Sequence, residues 1–317
     1  MTPPRSARKH SDAATDPLRQ FHAEQASKAK EAYLRSQTPS SDAQAWLAAI
    51  HRARRDIGDA LIASSHLRAV GKALQQSGAY MHVFRHLMAP PLSQDQFRLI
   101  CPEWSKASEN KGTPLEEEAA NAVAAVFDER RVRSLTPWLA ENRAPTIPEV
   151  RRLQLAIAPL IANQRFATER RVAASALQEQ SVISSLKALG WSIRPSSLID
   201  TRAALAPKEF MHKTRFATSP DASQAQEVDI ACGLAGTYVL AMECKVTNDE
   251  TNSVKRVNDV IKKAVAWKNH WGSFVETAAL LQGVIKPSDV HRLLDAGVHV
   301  FWSHDLSTFE NWISARV

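Results

Sequence analysis

The chain has 317 residues, with 40 lysines and arginines against 33 aspartates and glutamates, and a formal net charge of +7. Hydrophobic residues make up 44% and charged residues 23%, which excludes wholesale disorder and indicates a globular protein long enough for two domains. The three scattered cysteines argue against a disulfide framework. The polar N-terminus argues against a secretory signal, and the lack of a long apolar run argues against a membrane span. We therefore expect a cytoplasmic protein with reduced cysteines.

The positive charge lies in the first two thirds of the chain. Residues 201–317 contain 13 basic and 13 acidic side chains, so residues 1–200 carry the whole excess. The densest basic run lies between residues 130 and 171 and ends with Arg170 and Arg171. Because arginine binds phosphate oxygens through two parallel hydrogen bonds, this run predicts a DNA-binding surface that includes both arginines. A set of solvated helix faces would give the same run and is the alternative.

The first half of the chain has a helical pattern. Residues 1–40 are polar and predict a flexible N-terminal segment. Residues 41–150 have apolar residues at helical spacing and are predicted to form a helical region for DNA binding or dimerisation. The clearest example is an apolar repeat every four residues at Leu115, Ala119, Val123 and Phe127. Three prolines between 137 and 148 indicate a domain boundary near residue 150.

Residues 151–317 alternate between helical and strand patterns. A long helix is predicted from Ala167 to Leu189, followed by a short strand over Trp191–Arg194 and an irregular polar stretch. Two runs with a period of two, Glu227–Cys232 and Tyr238–Thr247, predict a hairpin. The elements predicted after the hairpin are helix Ser253–Trp271, strand Thr277–Ile285, helix Pro287–Ala296, strand Val298–Trp302 and helix Leu306–Ser314. This order predicts an α/β fold with a mixed sheet flanked by helices, preceded by the mainly α-helical region.

The predicted hairpin carries two acidic side chains and a lysine. Glu243 and Lys245 point to the same face of the second strand, opposite an apolar face. Asp229 lies within the first strand, and antiparallel pairing could bring its carboxylate near Glu243. Two converging carboxylates repel each other unless a hard cation lies between them, and Mg²⁺ prefers such oxygen ligands. Lys245 could then orient an attacking water and stabilise a phosphate, although a simple cross-strand ion pair is the alternative.

The set Asp229…Glu243-Cys244-Lys245 resembles the signature of the PD-(D/E)XK nucleases, with Val228 in place of the family's proline. The core of that family is a helix, a hairpin, a helix and further strands, which is the order predicted for residues 151–317. The resemblance implies a restriction-endonuclease-like sheet, and catalysis by Asp229, Glu243 and Lys245 with Mg²⁺ on the two carboxylates. It also implies an acidic residue on the preceding helix. Glu179 interrupts an apolar stripe there and would support the metal, unless the stripe is mis-phased and Glu179 lies on the helix surface.

Four further stretches resemble the XamI-type group of type II restriction endonucleases. They are Pro90–Phe97, Glu243–Val246, Thr251–Arg256 and Phe301–Leu306. The resemblance implies Mg²⁺-dependent cleavage of double-stranded DNA at a short, palindromic sequence by a homodimer, with a cognate DNA methyltransferase as genomic neighbour. Two alternatives stay open: a repair or mobile-element nuclease that does not recognise a specific sequence, and a non-catalytic DNA-binding protein on a degenerate nuclease core.

Basic residues beside the signature are candidates for contacts with DNA. Ser253, Lys255 and Arg256 lie at the start of the helix that follows the second strand, where backbone N–H groups and side chains could hold a phosphate. Lys213 and Arg215 lie in a predicted loop that could reach a groove of the duplex, although a merely exposed basic loop is the alternative. Three lysines further along the helix are predicted to form a solvated face: Lys262, Lys263 and Lys268.

Overall fold

The computed structural model describes residues 16–36, 39–220 and 222–317, the side chains of 39–41 excepted. The chain divides into two compact units. Of the described residues, 39–170 form the helical unit, and 171–317 together with the N-terminal residues 16–36 form the sheet unit. Among the described residues, no helix combines the length and apolar composition that crossing a membrane requires.

The helical unit is built from short helices around one apolar core. Its helices are α2 (Pro39–Ala63), α3 (Val70–Gln76), α4 (Met81–His86), α5 (Gln94–Ile100), α6 (Lys106–Lys111), α7 (Glu117–Arg130), α8 (Pro137–Ala140) and the first part of α9 (Ile147–Ala188). In α7 the predicted stripe is buried at Val123 and Phe127, and Phe127 packs against Phe84 of α4 with 5.6 Å between the ring centroids. The core is therefore made by helix faces, as the apolar spacing predicts.

One buried ion pair connects α4 to α6 inside the helical unit. The Arg85 guanidinium donates to both carboxylate oxygens of Glu109, from Nε at 2.9 Å and from Nη2 at 2.6 Å. Arg85 also donates to the backbone carbonyl of Leu92, just before α5. Both side chains are almost fully buried, so each charge depends on the other for compensation.

Helix α9 begins twenty residues earlier than the sequence predicts. It is continuous from Ile147 to Ala188, and the two units divide at Arg170 rather than near residue 150. Pro148 lies in the first turn of the helix, where the missing N–H would have had no helical partner anyway. Pro148, one of the prolines that indicate a domain boundary in the sequence, thus lies at the start of a helix.

The sheet unit contains a seven-stranded mixed sheet, which confirms the predicted fold class. Its strands are β1 (Ser192–Arg194), β2 (Leu198–Ile199), β3 (Glu209–Ala217), β4 (Ala225–Gly233), β5 (Val239–Thr247), β6 (Val275–Gly283) and β7 (His299–Trp302). The order is β1-β3-β4-β5-β6-β7, with β2 also paired to β3. Strand β4 is antiparallel to both β3 and β5, whereas β5, β6 and β7 run parallel. The predicted hairpin thus lies in the middle of the sheet.

Helices cover both faces of this sheet. The C-terminal part of α9 and α12 (Ser307–Ser314) pack on the face that contains Leu240, Met242 and Cys244. The opposite face is covered by α1 (Pro17–Ser36), α10 (Glu250–Trp271) and α11 (Pro287–Asp295). Because side chains alternate along β5, its other set of residues points toward α10, and this set includes Glu243 and Lys245.

Helix α1 lies in the segment that the sequence predicts to be flexible. Residues 1–15 and 37–38 are outside the described residues, but Pro17–Ser36 is helical and packs on the sheet. Its buried face consists of small and polar residues, and Nε1 of Trp302 donates to Nδ1 of His22 at 3.1 Å. Because the buried face of α1 consists of alanines and hydrogen-bonded polar residues, its sequence contains no apolar stripe. For this reason the polar composition of the segment indicated flexibility.

Strand β3 lies in the stretch that the sequence predicts to be irregular, so Lys213 and Arg215 are on a strand and not on a loop. Lys213 has a φ of +51°, which inverts the inward and outward alternation in mid-strand. The β3–β4 pairing accordingly includes His212↔Ile230 and Thr214↔Val228 but omits Lys213 and Asp229 between them. Because the alternation of side chains reverses within β3, its sequence shows no period of two that would predict a strand.

The cap of α10 gives a first testable prediction. The Asp249 carboxylate accepts a hydrogen bond from the backbone N–H of Asn252 at 2.8 Å. Asp249→Ala is expected to lower the free energy of unfolding by about 1 kcal/mol, because an N–H at the helix start loses its partner. Urea denaturation measures this difference. Asp249→Asn is the control that retains an acceptor, and equal losses for both variants would contradict the capping role.

Candidate active site

The hairpin opens at the position of its two acidic residues. The β4–β5 pairing runs from Gly233↔Val239 to Ile230↔Met242, and the next positions along the strands are Asp229 and Glu243. These two residues are not paired through their backbones. Instead, Oδ2 of Asp229 accepts a hydrogen bond from the backbone N–H of Cys244 at 2.7 Å. The Asp229 carboxylate therefore lies between the separating strands, beside the first residues of the motif on β5.

Glu243 is a fully buried carboxylate in contact with Lys245. The Nζ atom of Lys245 lies 2.6 Å from Oε2 of Glu243, and Glu243 is 0% exposed. Lys245 also lies 3.2 Å from Oδ2 of Asp259 on α10. The acid–acid–lysine set predicted from the sequence is thus brought together at one end of the hairpin, as a buried cluster and not as an ion pair on an exposed face.

Lys263 of α10 joins this cluster. Its Nζ atom lies 3.0 Å from Oε1 and 2.9 Å from Oε2 of Glu243. The sequence predicts a solvated face for this lysine, and that prediction is wrong because α10 packs on β5 with this flank inward. Asp259 and Lys263 are one turn apart on the same flank, beside the buried Trp267. Aligning the helical periodicity of α10 on its buried tryptophans, Trp267 and Trp271, would have predicted that Asp259 and Lys263 lie on the inward flank.

Burial and charge together set the protonation of the cluster. Burial raises the pKa of Glu243 above its ordinary value and Asp229 raises it further, while Lys245 and Lys263 oppose both effects. Burial alone would lower the pKa of Lys245, but the Glu243 carboxylate, with help from Asp229, holds it above its ordinary value. Lys245 is therefore a protonated cation at neutral pH, and Asp229 is close enough to Glu243 for the two carboxylates to interact.

Glu179 points inward from α9, as predicted, but its partners differ from those expected. Its Oε2 atom lies 2.6 Å from Nε2 of His212 and 3.1 Å from Nζ of Lys213, both on β3. The resemblance to the nuclease signature implies instead that Glu179 supports the metal ion. The left-handed backbone at Lys213 explains the difference, because it turns two successive β3 side chains toward α9.

A cavity of about 460 Å³ connects Glu179 to the opened hairpin. It is lined by Glu179, Ser196, Lys213, Thr214, Arg215, Glu227, Val228 and Asp229. Both acidic and basic side chains line its wall, so the cavity combines carboxylates that can bind a cation with groups that can bind a phosphate.

The other predicted DNA-binding residues lie in different surroundings. Ser253 is fully buried and its hydroxyl donates to Asp289 at 2.8 Å, so the predicted contact with a phosphate is not open to it. The burial follows from the phase of α10, whose first turn packs on α11. Lys255 is exposed and Arg256 is half-buried in the same turn.

The arginines of α9 also differ from each other. Nη1 of Arg170 lies 3.2 Å from Oδ2 of Asp42, and its guanidinium lies 5.3 Å from the ring centroid of Phe166. Arg170 is therefore engaged within the helical unit. Arg171 is exposed.

The donors of the cluster suit a hard divalent cation. Magnesium is commonly held by one or two carboxylates together with water and substrate phosphate, and Asp229 and Glu243 provide two carboxylates. Among the residues that the structure describes, no three histidine, cysteine or acidic side chains are grouped as metal ligands. Glu179, hydrogen-bonded to His212, is thus not gathered with the other two carboxylates. The arrangement therefore fits a metal site with two protein ligands, Asp229 and Glu243.

Comparisons with known proteins agree with the sequence motifs. The family model described as XamI restriction endonuclease matches residues 65–302. The type II restriction enzyme XamI of Xanthomonas campestris pv. amaranthicola is 31% identical over 192 residues, which cover 60% of this chain and 66% of that enzyme. The chain thus spans slightly less than two thirds of the length of this curated relative.

Two solved structures are more distant. A complex of restriction endonuclease PspGI with substrate DNA has a TM-score of 0.33 and 10% identity, covering 58% of this chain and 60% of that one. Protein VC1899 from Vibrio cholerae has a TM-score of 0.29 and 13% identity, covering 88% and 58% respectively. The resemblance inferred from the motifs is confirmed by the family match. Because that match spans well over half of the chain, from residue 65 to the last strand of the sheet, the protein belongs to the XamI restriction endonuclease family.

Proposed function

We propose that the protein is a Mg²⁺-dependent type II restriction endonuclease that hydrolyses double-stranded DNA at a short, palindromic sequence. The observation that supports this proposal most directly is the grouping of Asp229, Glu243 and Lys245 at the open end of the hairpin: Asp229 accepts the Cys244 N–H, and Lys245 contacts Glu243. Family membership supports it, since XamI is described as a type II restriction enzyme. Such an enzyme acts on DNA in the cytoplasm.

Asp229 and Glu243 would hold the Mg²⁺ ion. When bound, Mg²⁺ supplies Lewis-acid stabilisation of the negative charge on the scissile phosphate. Asp229 is fixed for this role by the Cys244 N–H, which orients its carboxylate without adding a positive charge. Glu179 acts differently in our proposal: it holds His212 and Lys213, and so positions Lys213 at the cavity wall.

Lys245 would orient the attacking water and stabilise the developing charge. The oxygen of the water forms a bond to phosphorus in line with the 3′-oxygen, and the bond from phosphorus to that oxygen breaks. One proton of the water passes to solvent, and the departing 3′-oxygen takes a proton from solvent. A lysine held protonated by a buried carboxylate can stabilise this charge throughout the reaction.

The DNA contacts would come from exposed and half-buried basic residues around the cluster. Lys213 and Arg215 line the cavity, and Lys255 and Arg256 lie at the start of α10. Arg171 adds a further cation on α9. Contacts with phosphates set the position and register of the protein on the duplex. Arg170 would take part only by exchanging Asp42 for a phosphate.

A palindromic site implies two protomers. In a homodimer with twofold symmetry, two copies of the cluster would act on the two strands of one site. A cognate DNA methyltransferase encoded nearby would protect the host DNA.

The test is digestion of a long DNA of diverse sequence with the purified protein. We expect discrete fragments with Mg²⁺ and no cleavage with EDTA. A smear would favour a nuclease that does not recognise a specific sequence, such as a repair or mobile-element enzyme. Salt-dependent binding of DNA without cleavage at any Mg²⁺ concentration would contradict the enzymatic proposal and favour a DNA-binding protein on a degenerate nuclease core.

A further inference from the structure

The Glu243 carboxylate is contacted by more ammonium groups than the PD-(D/E)XK signature provides. Lys245 contacts one oxygen of Glu243, and Lys263 contacts both. A fully buried carboxylate needs compensation, and Lys245 alone already supplies one positive charge. The second ammonium group is held by α10, outside the signature, and its presence calls for an explanation.

A divalent ion bound at Glu243 would compete with these contacts. Both Glu243 oxygens are contacted by ammonium groups, and a divalent cation at the same oxygens would repel these positive charges, so its binding favours the departure of one of them. Lys245 is also paired with Asp259 at 3.2 Å, which holds it in place. Lys263 has no second carboxylate partner among the described residues. Of the two lysines, Lys263 is therefore the one that can leave at lower cost.

The surroundings offer Lys263 another position. Its side chain lines a surface depression together with Arg215 and Glu227. A lysine side chain has four rotatable bonds and can carry its charge several ångströms without a change in the backbone. The Glu227 carboxylate in the same depression can partner the ammonium group once it has left Glu243.

We propose that Lys263 is a positioning residue that orients Glu243 in the metal-free protein and yields this carboxylate to the divalent ion. The inference rests on the proposed function, because it requires that an ion binds at Glu243. Lys263 then acts as a built-in competitor: it keeps the buried carboxylate compensated before metal binding and sets the metal concentration at which the site fills. Lys245 stays in place throughout and retains its role toward the water.

The experiment is a Mg²⁺ titration followed by thermal unfolding, without DNA. Lys263→Met is the test variant, and Lys262→Met is the matched control, since Lys262 is the exposed neighbour on the same helix. In EDTA, Lys263→Met is expected to unfold about 4 °C below the control, because Glu243 loses one of its cations. Its half-saturating Mg²⁺ concentration is expected to fall about tenfold, since a competing charge is gone. Lys263→Arg keeps the charge and is expected to bind Mg²⁺ as the wild type does.

The outcomes separate this inference from the proposed function. If the wild type binds Mg²⁺ and Lys263→Met binds it no more tightly, the competitor role is overturned while the proposed function stands. If Lys263→Met is as stable in EDTA as the control, the positioning role is overturned as well. Failure of every variant to respond to Mg²⁺ would overturn the inference about Lys263, whereas the proposed function is tested separately by DNA digestion with Mg²⁺ and with EDTA.

Discussion

Lys245→Met is expected to slow DNA cleavage by about 100- to 1000-fold, the usual loss when a preorganised donor to a developing negative charge is removed. The ammonium group lies 2.6 Å from Glu243 and its side chain is only 11% exposed, so no water-exposed cation can substitute for it. Methionine has a similar length and no charge. Binding of duplex DNA should change little, because the proposed DNA contacts come from other residues.

The measurement is the single-turnover rate of cleavage at saturating protein and Mg²⁺. Lys262→Met, an exposed lysine of α10, controls for the loss of one positive charge from the protein. Thermal unfolding checks that the test variant is folded. A Lys245→Met protein that is folded and cleaves as fast as the control would remove Lys245 from the chemistry.

Arg85→Met is expected to lower the free energy of unfolding of the helical unit by about 3–5 kcal/mol, because it leaves the Glu109 carboxylate buried and unpaired. The substitution also removes the hydrogen bond to the Leu92 carbonyl. The pair is bidentate and almost fully buried, in contrast to the solvent-exposed pairs at the surface, which contribute little.

A double-mutant cycle separates the pair from its surroundings. Arg85→Met combined with Glu109→Leu leaves no uncompensated charge and should recover much of the stability that either single variant loses. Urea denaturation followed by far-UV circular dichroism measures all four proteins. Additive losses in the double variant would contradict a coupled pair, and the loss would then arise from packing of the two side chains.

Strand β5 was predictable because its side chains keep their alternation. In β5 one face is apolar from Leu240 to Cys244 and the other contains Glu243, so the period of two predicted both the strand and the candidate site on it. The confirmed fold class follows from the order of such elements. The inward position of Glu179 followed from the apolar residues after it on the same face of α9, because Ile183 and Leu186 are buried, whereas Val172 on its N-terminal side is exposed.

The parts that were not predictable depend on three-dimensional contacts or local backbone changes. The reversal at Lys213 concealed β3, and the neutral buried face of α1 concealed a helix. Lys263 and Ser253 were assigned to the wrong surroundings because the phase of α10 is set by the sheet and by α11. The partners of a buried charge depend on which side chains come together in the folded protein, and residue spacing along the sequence does not predict them.

Cleavage of DNA by Asp229→Asn in the presence of Mg²⁺ tests the candidate active site most directly. Asparagine retains an oxygen that can accept the Cys244 N–H, so the end of the hairpin should stay intact, while the negative charge on a proposed metal ligand is lost. We predict an unfolding temperature near that of the wild type and a loss of cleavage of about 1000-fold or more, since the metal supplies several kcal/mol of charge stabilisation. A folded Asp229→Asn protein that cuts DNA at the wild-type rate would contradict the assignment of this site.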